Sequence, residues 1–115
     1  MNKELRNYAT PNGKEPFTEW LASIKDNVMR ARIKRRLDRL ELGYYGDVKC
    51  VGEGIFELRL QFGPGYRIYF AEFETITVIL LSGGDKSTQH KDIKRAKEYW
   101  QELLNRCGNE KFNRS

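Results

Sequence analysis

The run Ile76–Leu81, Ile-Thr-Val-Ile-Leu-Leu, is continuously apolar and rich in β-branched residues, the pattern of an interior strand covered on both faces. It closes a stretch, Glu53 to Ser87, that reads as three short strands joined by tight turns and ending in a glycine-rich loop with a lysine. Side chains alternate across a strand, so Phe56, Leu58, Leu60 and Phe62 share one face and Glu57, Arg59 and Gln61 the other. The first face is expected to be core and the second wet and charged. Gly63, Pro64 and Gly65 form a hairpin turn, after which Tyr66, Ile68 and Phe70 take one side and Arg67 and Tyr69 the opposite one. If the hairpin pairs in the obvious register, Arg59 and Arg67 lie together, and Lys86, beyond the Ser82-Gly83-Gly84 loop, closes over the end of the sheet. The result is a cationic pocket containing a phenol.

The flanking segments are helical apart from an edge strand at Leu5–Tyr8. Pro16 opens a first helix, at the position where its fixed φ and missing N–H are tolerated, with Phe17, Trp20, Leu21 and Ile24 at helical spacing. Asp26 or Asn27 caps a second helix running to about Leu42, with Met29, Ile33, Leu37 and Leu40 on its apolar stripe and Gly43 at its end. The short link makes the pair an antiparallel hairpin laid on the sheet. Residues 44–47 form the loop into the strands, with Lys49 at the pocket edge. Ser87 or Thr88 caps a last helix with Ile93, Ala96, Trp100, Leu103 and Leu104 inward. Gly108 is expected to end it, giving one domain over residues 1–108 and a frayed tail at 109–115.

A chain of 115 residues is long enough to bury one core without disulfides or metal. No run approaches the roughly 18 apolar residues of a membrane span, and the N-terminus lacks a hydrophobic signal segment. A soluble, cytoplasmic protein is expected, with Cys50 and Cys107 reduced. A single histidine and no Cys-x-x-Cys spacing argue against zinc, and no cofactor is expected. The net charge of +5 is concentrated: Lys25–Arg39 carries seven Lys or Arg against two Asp, and the remainder is balanced. A basic stripe on one helix is either a solvated face or the footprint of a phosphate backbone or an acidic protein.

Three cations beside a tyrosine suit a reaction that builds negative charge on phosphate oxygens. Arg59 and Arg67 can clamp a phosphate bidentately, and fixed positive groups aimed at developing charge are typically the largest catalytic term. RNA brings its own nucleophile, the 2′-OH. For proton transfer, His90 is the only side chain with an ordinary pKa near 7. Tyr69 and Lys86 need neighbours to shift them, clustered cations being expected to depress both, and Glu57 is a further candidate base. Arg59 and Arg67 can instead simply pair with Glu57 and Glu72. Arg67 and Lys86 are expected to be solvent-accessible.

The motifs Glu57-Leu58-Arg59, Gly65-Tyr66-Arg67-Ile68-Tyr69, the segment from Leu80 through Lys86 to Gln89, and Asp92-Ile93 with Ala96 resemble the RelE/ParE superfamily of toxins from bacterial toxin–antitoxin modules. The likeness runs from about Leu5 to Leu104 and is nearest to the HigB-like, phage-related addiction-module killer branch, which Pro16-Phe17, Glu19-Trp20-Leu21, Arg39–Gly43 and Gly46–Lys49 also fit. The resemblance implies a RelE-like α+β fold, with two N-terminal helices and a C-terminal helix packed on a twisted, mainly antiparallel four-stranded sheet. It also implies a metal-independent, ribosome-dependent mRNA endoribonuclease neutralised by a cognate antitoxin. By this likeness Arg59 and Arg67 match strand arginines that contact the scissile phosphate. Lys86 matches the basic residue that stabilises the transition state or protonates the leaving group, and Lys49 a lysine near the nucleophile. Arg32, Arg35, Arg36 and Arg39 on the second helix suit RNA contact and an acidic antitoxin segment equally well. The chain departs from the family where several members carry a C-terminal tyrosine or His-Tyr pair, having Lys91 and Asp92 there. Rival readings are a ParE-like, non-enzymatic inhibitor of DNA gyrase and an RNA-binding module without catalysis.

Overall fold

A computed structural model describes residues 2–114, with side chains through Gly108. The elements are β1 (Glu4–Asn7), α1 (Pro16–Ser23), α2 (Asn27–Glu41), β2 (Val48–Gly52), β3 (Ile55–Arg59), β4 (Arg67–Phe73), β5 (Thr77–Gly84), a single 3-10 turn at Lys86–Thr88, and α3 (Gln89–Arg114). The strands form one five-stranded sheet in the order β1-β5-β4-β3-β2, with β1 parallel to β5 and the other pairs antiparallel.

The fold class is α+β, but the sheet has five strands and is mixed, where four mainly antiparallel strands were expected. The additional strand is β2, which lies just beyond the loop expected at residues 44–47 and where no strand was expected. Its exposed residues Lys49 and Cys50 hide the strand pattern, and its hairpin to β3 turns on Glu53 and Gly54, both at positive φ (54° and 82°). Two such residues make the primed two-residue turn whose twist matches the flanking strands.

The larger correction concerns the two faces of the sheet. Phe17 and Trp20 from α1, together with Ile33, Leu37 and Leu40 from α2, cover one face, packing on Leu58, Leu60, Ile68, Phe70, Val78 and Leu80. This is the core expected from the alternation. The opposite face was expected to be wet. Instead α3 lies on it, and Ala96 and Trp100 bury Ile55, Tyr69, Ala71, Ile79 and Leu81 in a second cluster. Leu104, assigned to the inner side of α3, is exposed. The helix also passes Gly108 and continues to Arg114, while Ser115 lies outside the described residues.

Local chemistry explains the helix boundaries. Pro16 is at the start of α1, and the Asp26 carboxylate accepts from the backbone N–H groups of Val28 and Met29 at the start of α2. At the end of α2, Gly43 N–H donates to Leu40 O and Tyr44 N–H to Arg39 O, the paired bonds of a Schellman motif. The 3-10 turn that leads into α3 is capped by Asp85. Asp85 accepts from Ser87 N–H, and Thr88 answers the Asp85 N–H.

Ser82, Gly83 and Gly84, expected as a loop, are the end of β5. An extra residue enters β5 between the pairs Phe70–Leu80 and Tyr69–Ser82. This bulge resets the phase of the strand, so a Cβ at Gly83 would overlap the Trp20 indole on one face, and a Cβ at Gly84 would overlap the Asp92 carboxylate on the other. The glycines let α1 and α3 close on the same strand end from opposite sides. Among the described residues no helix is long and apolar enough to cross a membrane.

Two stability measurements test this packing. Gly83→Ala is expected to cost about 1–3 kcal/mol by overpacking against Trp20, read as a lowered urea midpoint at unchanged m. Trp100→Ala is expected to cost about 3–5 kcal/mol; near-native stability for that variant would show that α3 does not close the second core.

Candidate active site

β3 and β4 pair with Glu57 opposite Tyr69 and Arg59 opposite Arg67, and Arg67 in turn stands opposite Gly84 on β5. Residues two apart share a face, so the four side chains form two adjacent rows beneath the start of α3. The expected neighbourhood of Arg59 and Arg67 is therefore present. Its environment is not the expected one, because Glu57 has no solvent exposure at all and Tyr69 is likewise fully buried.

Glu57 is the hub of this region. Its Oε1 takes Arg59 Nε at 3.3 Å; its Oε2 accepts from Tyr69 OH at 3.1 Å and Gln89 Nε2 at 2.9 Å, and lies 3.6 Å from Arg67 Nε. Arg67 also donates through Nη1 to Gly65 O at 2.8 Å, and its side chain is only 13% exposed against 35% for Arg59. Arg67 is thus a half-sequestered group tied to a buried carboxylate, not the freely accessible cation expected. Glu72 is not its partner and binds Lys3 and Tyr45 instead.

Lys86 is exposed at the first position of the 3-10 turn, with its backbone N–H directed at Pro64 O. Gly65 is packed between Arg67 Nη1 and Lys86 Cβ: a Cβ built there would lie 3.3 Å from each. The lysine therefore stands at the end of the sheet beside the arginine pair. Lys49 faces Glu57 across the β2–β3 ladder and is exposed. His90 is not brought to the pair. It is exposed on α3 and lines a separate hollow of about 460 Å³ with Ser87, Thr88, Lys91 and Lys94. Its neighbour Gln89 is the α3 residue that hydrogen-bonds Glu57, a contact not expected from the sequence. The signal was its position directly after the capped turn, where the first inward-facing residue of a helix falls.

The α2 arginines share one cleft. Arg32, Arg35, Arg36 and Arg39 line a cleft of about 390 Å³ with Asp47, Arg59, Gln61 and Phe62. Arg32 lies over the Phe62 ring at 4.1 Å from its centroid, and Arg36 donates to Tyr45 O at 2.8 Å. Burial and the nearby Arg39 pull the Arg36 guanidinium below its ordinary pKa, with Asp47 opposing. Arg59 belongs to both groups, so the cleft and the arginine pair adjoin at the end of β3.

Tyr69 reverses its expectation. Burial first, and then the Glu57 carboxylate, push the phenol well above its ordinary pKa, against a smaller lowering from Arg67. Tyr69 is held as a hydrogen-bond donor and offers no phenolate near neutral pH. Among the described residues no group of three or more His, Cys, Asp or Glu is placed to hold a metal ion.

The raised phenol has a pH consequence. A tyrosine whose folded pKa lies above its unfolded value of about 10 loses its proton first in the unfolded chain, so its stabilisation is complete below pH 10 and declines above it. Tyr8, raised by burial and by Glu102, acts in the same sense. Alkaline titration followed at 295 nm is expected to show these two phenols ionising only on unfolding. Tyr69→Phe is expected to remove about 1.4 kcal/mol per pH unit from the alkaline slope of stability. Ionisation of Tyr69 near pH 10 in the folded protein would contradict its placement.

The profile described as "Phage derived protein Gp49-like (DUF891)" matches residues 19–101, a span from within α1 through the first half of α3 that contains both the arginine pair and the α2 cleft. A Haemophilus influenzae protein described as uncharacterized is 52% identical over 87 residues, covering 76% of this chain and 88% of that protein. With the profile spanning more than half of the sequence, the chain belongs to the phage-derived Gp49-like protein family.

Proposed function

We propose that this protein is the toxin of a toxin–antitoxin module and acts as a metal-independent endoribonuclease on mRNA at the ribosome. The observation that carries the reading is the joint presentation of Arg59 and Arg67 at one sheet end, next to Lys86 and contiguous with a cleft of four further arginines. The cleft alone gathers five guanidinium groups, those of Arg32, Arg35, Arg36, Arg39 and Arg59, against the one carboxylate of Asp47, which suits a polyphosphate ligand, and each neutralised phosphate of a single strand contributes a salt slope of about −0.7. The resemblance to addiction-module killers and the membership of a phage-derived family support the toxin role and a cognate antitoxin as partner.

In the proposed reaction the 2′-OH of one nucleotide attacks the adjacent phosphorus and loses its proton. The P–O5′ bond breaks, the O5′ leaving group takes up a proton, and the products are a 2′,3′-cyclic phosphate and a 5′-hydroxyl. Arg59 and Arg67 are assigned to the charge that builds on the non-bridging oxygens, and Lys86 to the leaving group. The α2 arginines hold the strand or the ribosomal RNA around it. Electrostatic groups of this kind are each worth about 10²–10³ in rate in comparable enzymes.

The test is primer extension on an mRNA in a reconstituted translation reaction, with and without ribosomes. Ribosome-dependent cuts within codons are expected, leaving a cyclic or 3′-phosphate end. Lys86→Ala is expected to reduce cleavage and relieve growth arrest at unchanged stability. Arg67→Ala, by contrast, should also lower stability by about 1–3 kcal/mol, because it strips a partner from a buried carboxylate. Growth arrest without cleavage would overturn the nuclease reading and direct attention to inhibition of gyrase supercoiling. Arg35→Ala with Arg39→Ala should lower the salt slope of RNA binding by about 1.4 if both contact phosphates.

A further inference from the structure

We infer that Glu57 is a positioning residue: a buried carboxylate that, with Tyr69 and Gln89, holds Arg59 and Arg67 by their Nε atoms and presents the pair to one phosphate. The inference rests on the phosphoryl-transfer reading above for its catalytic consequence, though not for its geometry.

Burial comes first. A carboxylate with no exposed surface has to be met on every side by donors or cations, and Glu57 is met by four groups from three elements. Arg59 approaches Oε1 along β3 itself, while Tyr69 and Arg67 approach Oε2 from β4 and Gln89 from the first turn of α3. The division of labour between the oxygens matters. Each guanidinium is held on its inner, Nε side, which leaves both Nη groups of Arg59 and Nη2 of Arg67 without a protein acceptor among the described residues. Arg59 is fixed by its Nε hydrogen bond, and Arg67 by the bond from Nη1 to Gly65 O together with the ion pair at Nε, so neither guanidinium rotates freely about its last bonds and the outer nitrogens are aimed before an anion arrives. This is the preorganisation that makes fixed charges effective.

The same geometry removes Glu57 from the role of general base. A base has to lie within hydrogen-bond reach of the proton it takes, and both oxygens of Glu57 are occupied beneath α3. The joint is not fully closed. Arg67 Nε is a buried donor with no hydrogen-bond acceptor, standing 3.6 Å from Oε2, and it is the one contact of the hub that can shorten when a phosphate pulls on the outer nitrogens. Gln89 ties this hub to α3 directly after the turn that carries Lys86, so the arginines and the lysine are set by one network.

The experiment has two arms. In the first, the Nε–Hε signals of Arg59 and Arg67 are followed by NMR in the ¹⁵N-labelled full chain. Both are expected to exchange slowly with solvent in the wild type and to be lost or averaged in Glu57→Gln, with the Arg59 signal kept and the Arg67 signal weakened in Gln89→Leu. Unchanged Arg59 and Arg67 signals in Glu57→Gln would overturn the inference, whether or not the protein cleaves RNA. In the second arm, Glu57→Gln is expected to lower kcat for ribosome-dependent cleavage by about 100-fold, the scale set by a misplaced catalytic group, with KM changed by roughly twofold or less. In a background lacking both arginine side chains it should change residual cleavage by less than about twofold, since coupled residues are not additive. An equal loss in both backgrounds would show that Glu57 acts independently of the arginines and would overturn the proposal. A wild-type chain that cleaves nothing overturns the nuclease reading alone and leaves the first arm to decide the positioning role.

Discussion

A carboxylate without access to water must be compensated where it stands, and in this fold that requirement falls on Glu57. Its partners come from β3, β4 and α3, so satisfying one charge fixes the relation of the central hairpin to the last helix. Removing a single partner from such a group is expensive, of order 1–3 kcal/mol or more, which disfavours any arrangement in which α3 sits elsewhere. The apolar contacts of Trp100 and Ala96 with the same sheet face supply the burial, and the Glu57 network supplies the register. The glycines at the end of β5 complete it by letting Trp20 and Asp92 approach the strand from its two sides.

The α2 cleft presents the opposite electrostatic problem. Arg32, Arg35, Arg36 and Arg39 recur at helical spacing on one face, and like charges three or four residues apart disfavour a helix by about 0.2–0.5 kcal/mol per pair. The helix tolerates this because two of the four have secondary anchors, Arg32 on the Phe62 ring and Arg36 on the Tyr45 carbonyl, and because its inner stripe is buried against the first core. Arg35 and Arg39 remain exposed. A face that is unfavourable when empty and favourable when neutralised is suited to an anionic partner, and the shared lining residue Arg59 makes this face continuous with the arginine pair.

Much of the first core was legible because it obeys simple periods. Phe17, Trp20, Ile33, Leu37 and Leu40 follow the helical repeat, and Leu58, Leu60, Ile68 and Phe70 follow the strand alternation. The pairing of Arg59 with Arg67 came from the Gly63-Pro64-Gly65 turn by the same logic. What failed did so where a local rule was overridden by a tertiary partner. Glu57 and Arg67 look like surface residues in any short window, and only the docking of α3 turns their face into an interior. The strand β2 lacks an apolar alternation because it is a sheet edge that exposes Lys49 and Cys50. The bulge in β5 is invisible to a period-two count, so the glycines beyond it read as a loop. His90 is an imidazole exposed away from the pair, whereas the residue that reaches Glu57 is Gln89, an amide that nothing in the local sequence marks as a site residue.

These placements divide the labour of the proposed reaction in a definite way. The sheet face supplies fixed positive charge, while its two obvious proton carriers are committed to structure: Glu57 accepts from three partners, and Tyr69 is held protonated by burial and by that carboxylate. General acid–base catalysis by a tuned side chain is worth about 10²–10⁴ in rate, so a face without it depends on orienting the 2′-OH in line and on offsetting charge at the phosphorus. Both are tasks for rigid donors. That is the physical reason for burying Glu57 beneath α3 in place of leaving it in contact with substrate: as an exposed base it would compete with the phosphate for the same two arginines, and as a buried anchor it aims them.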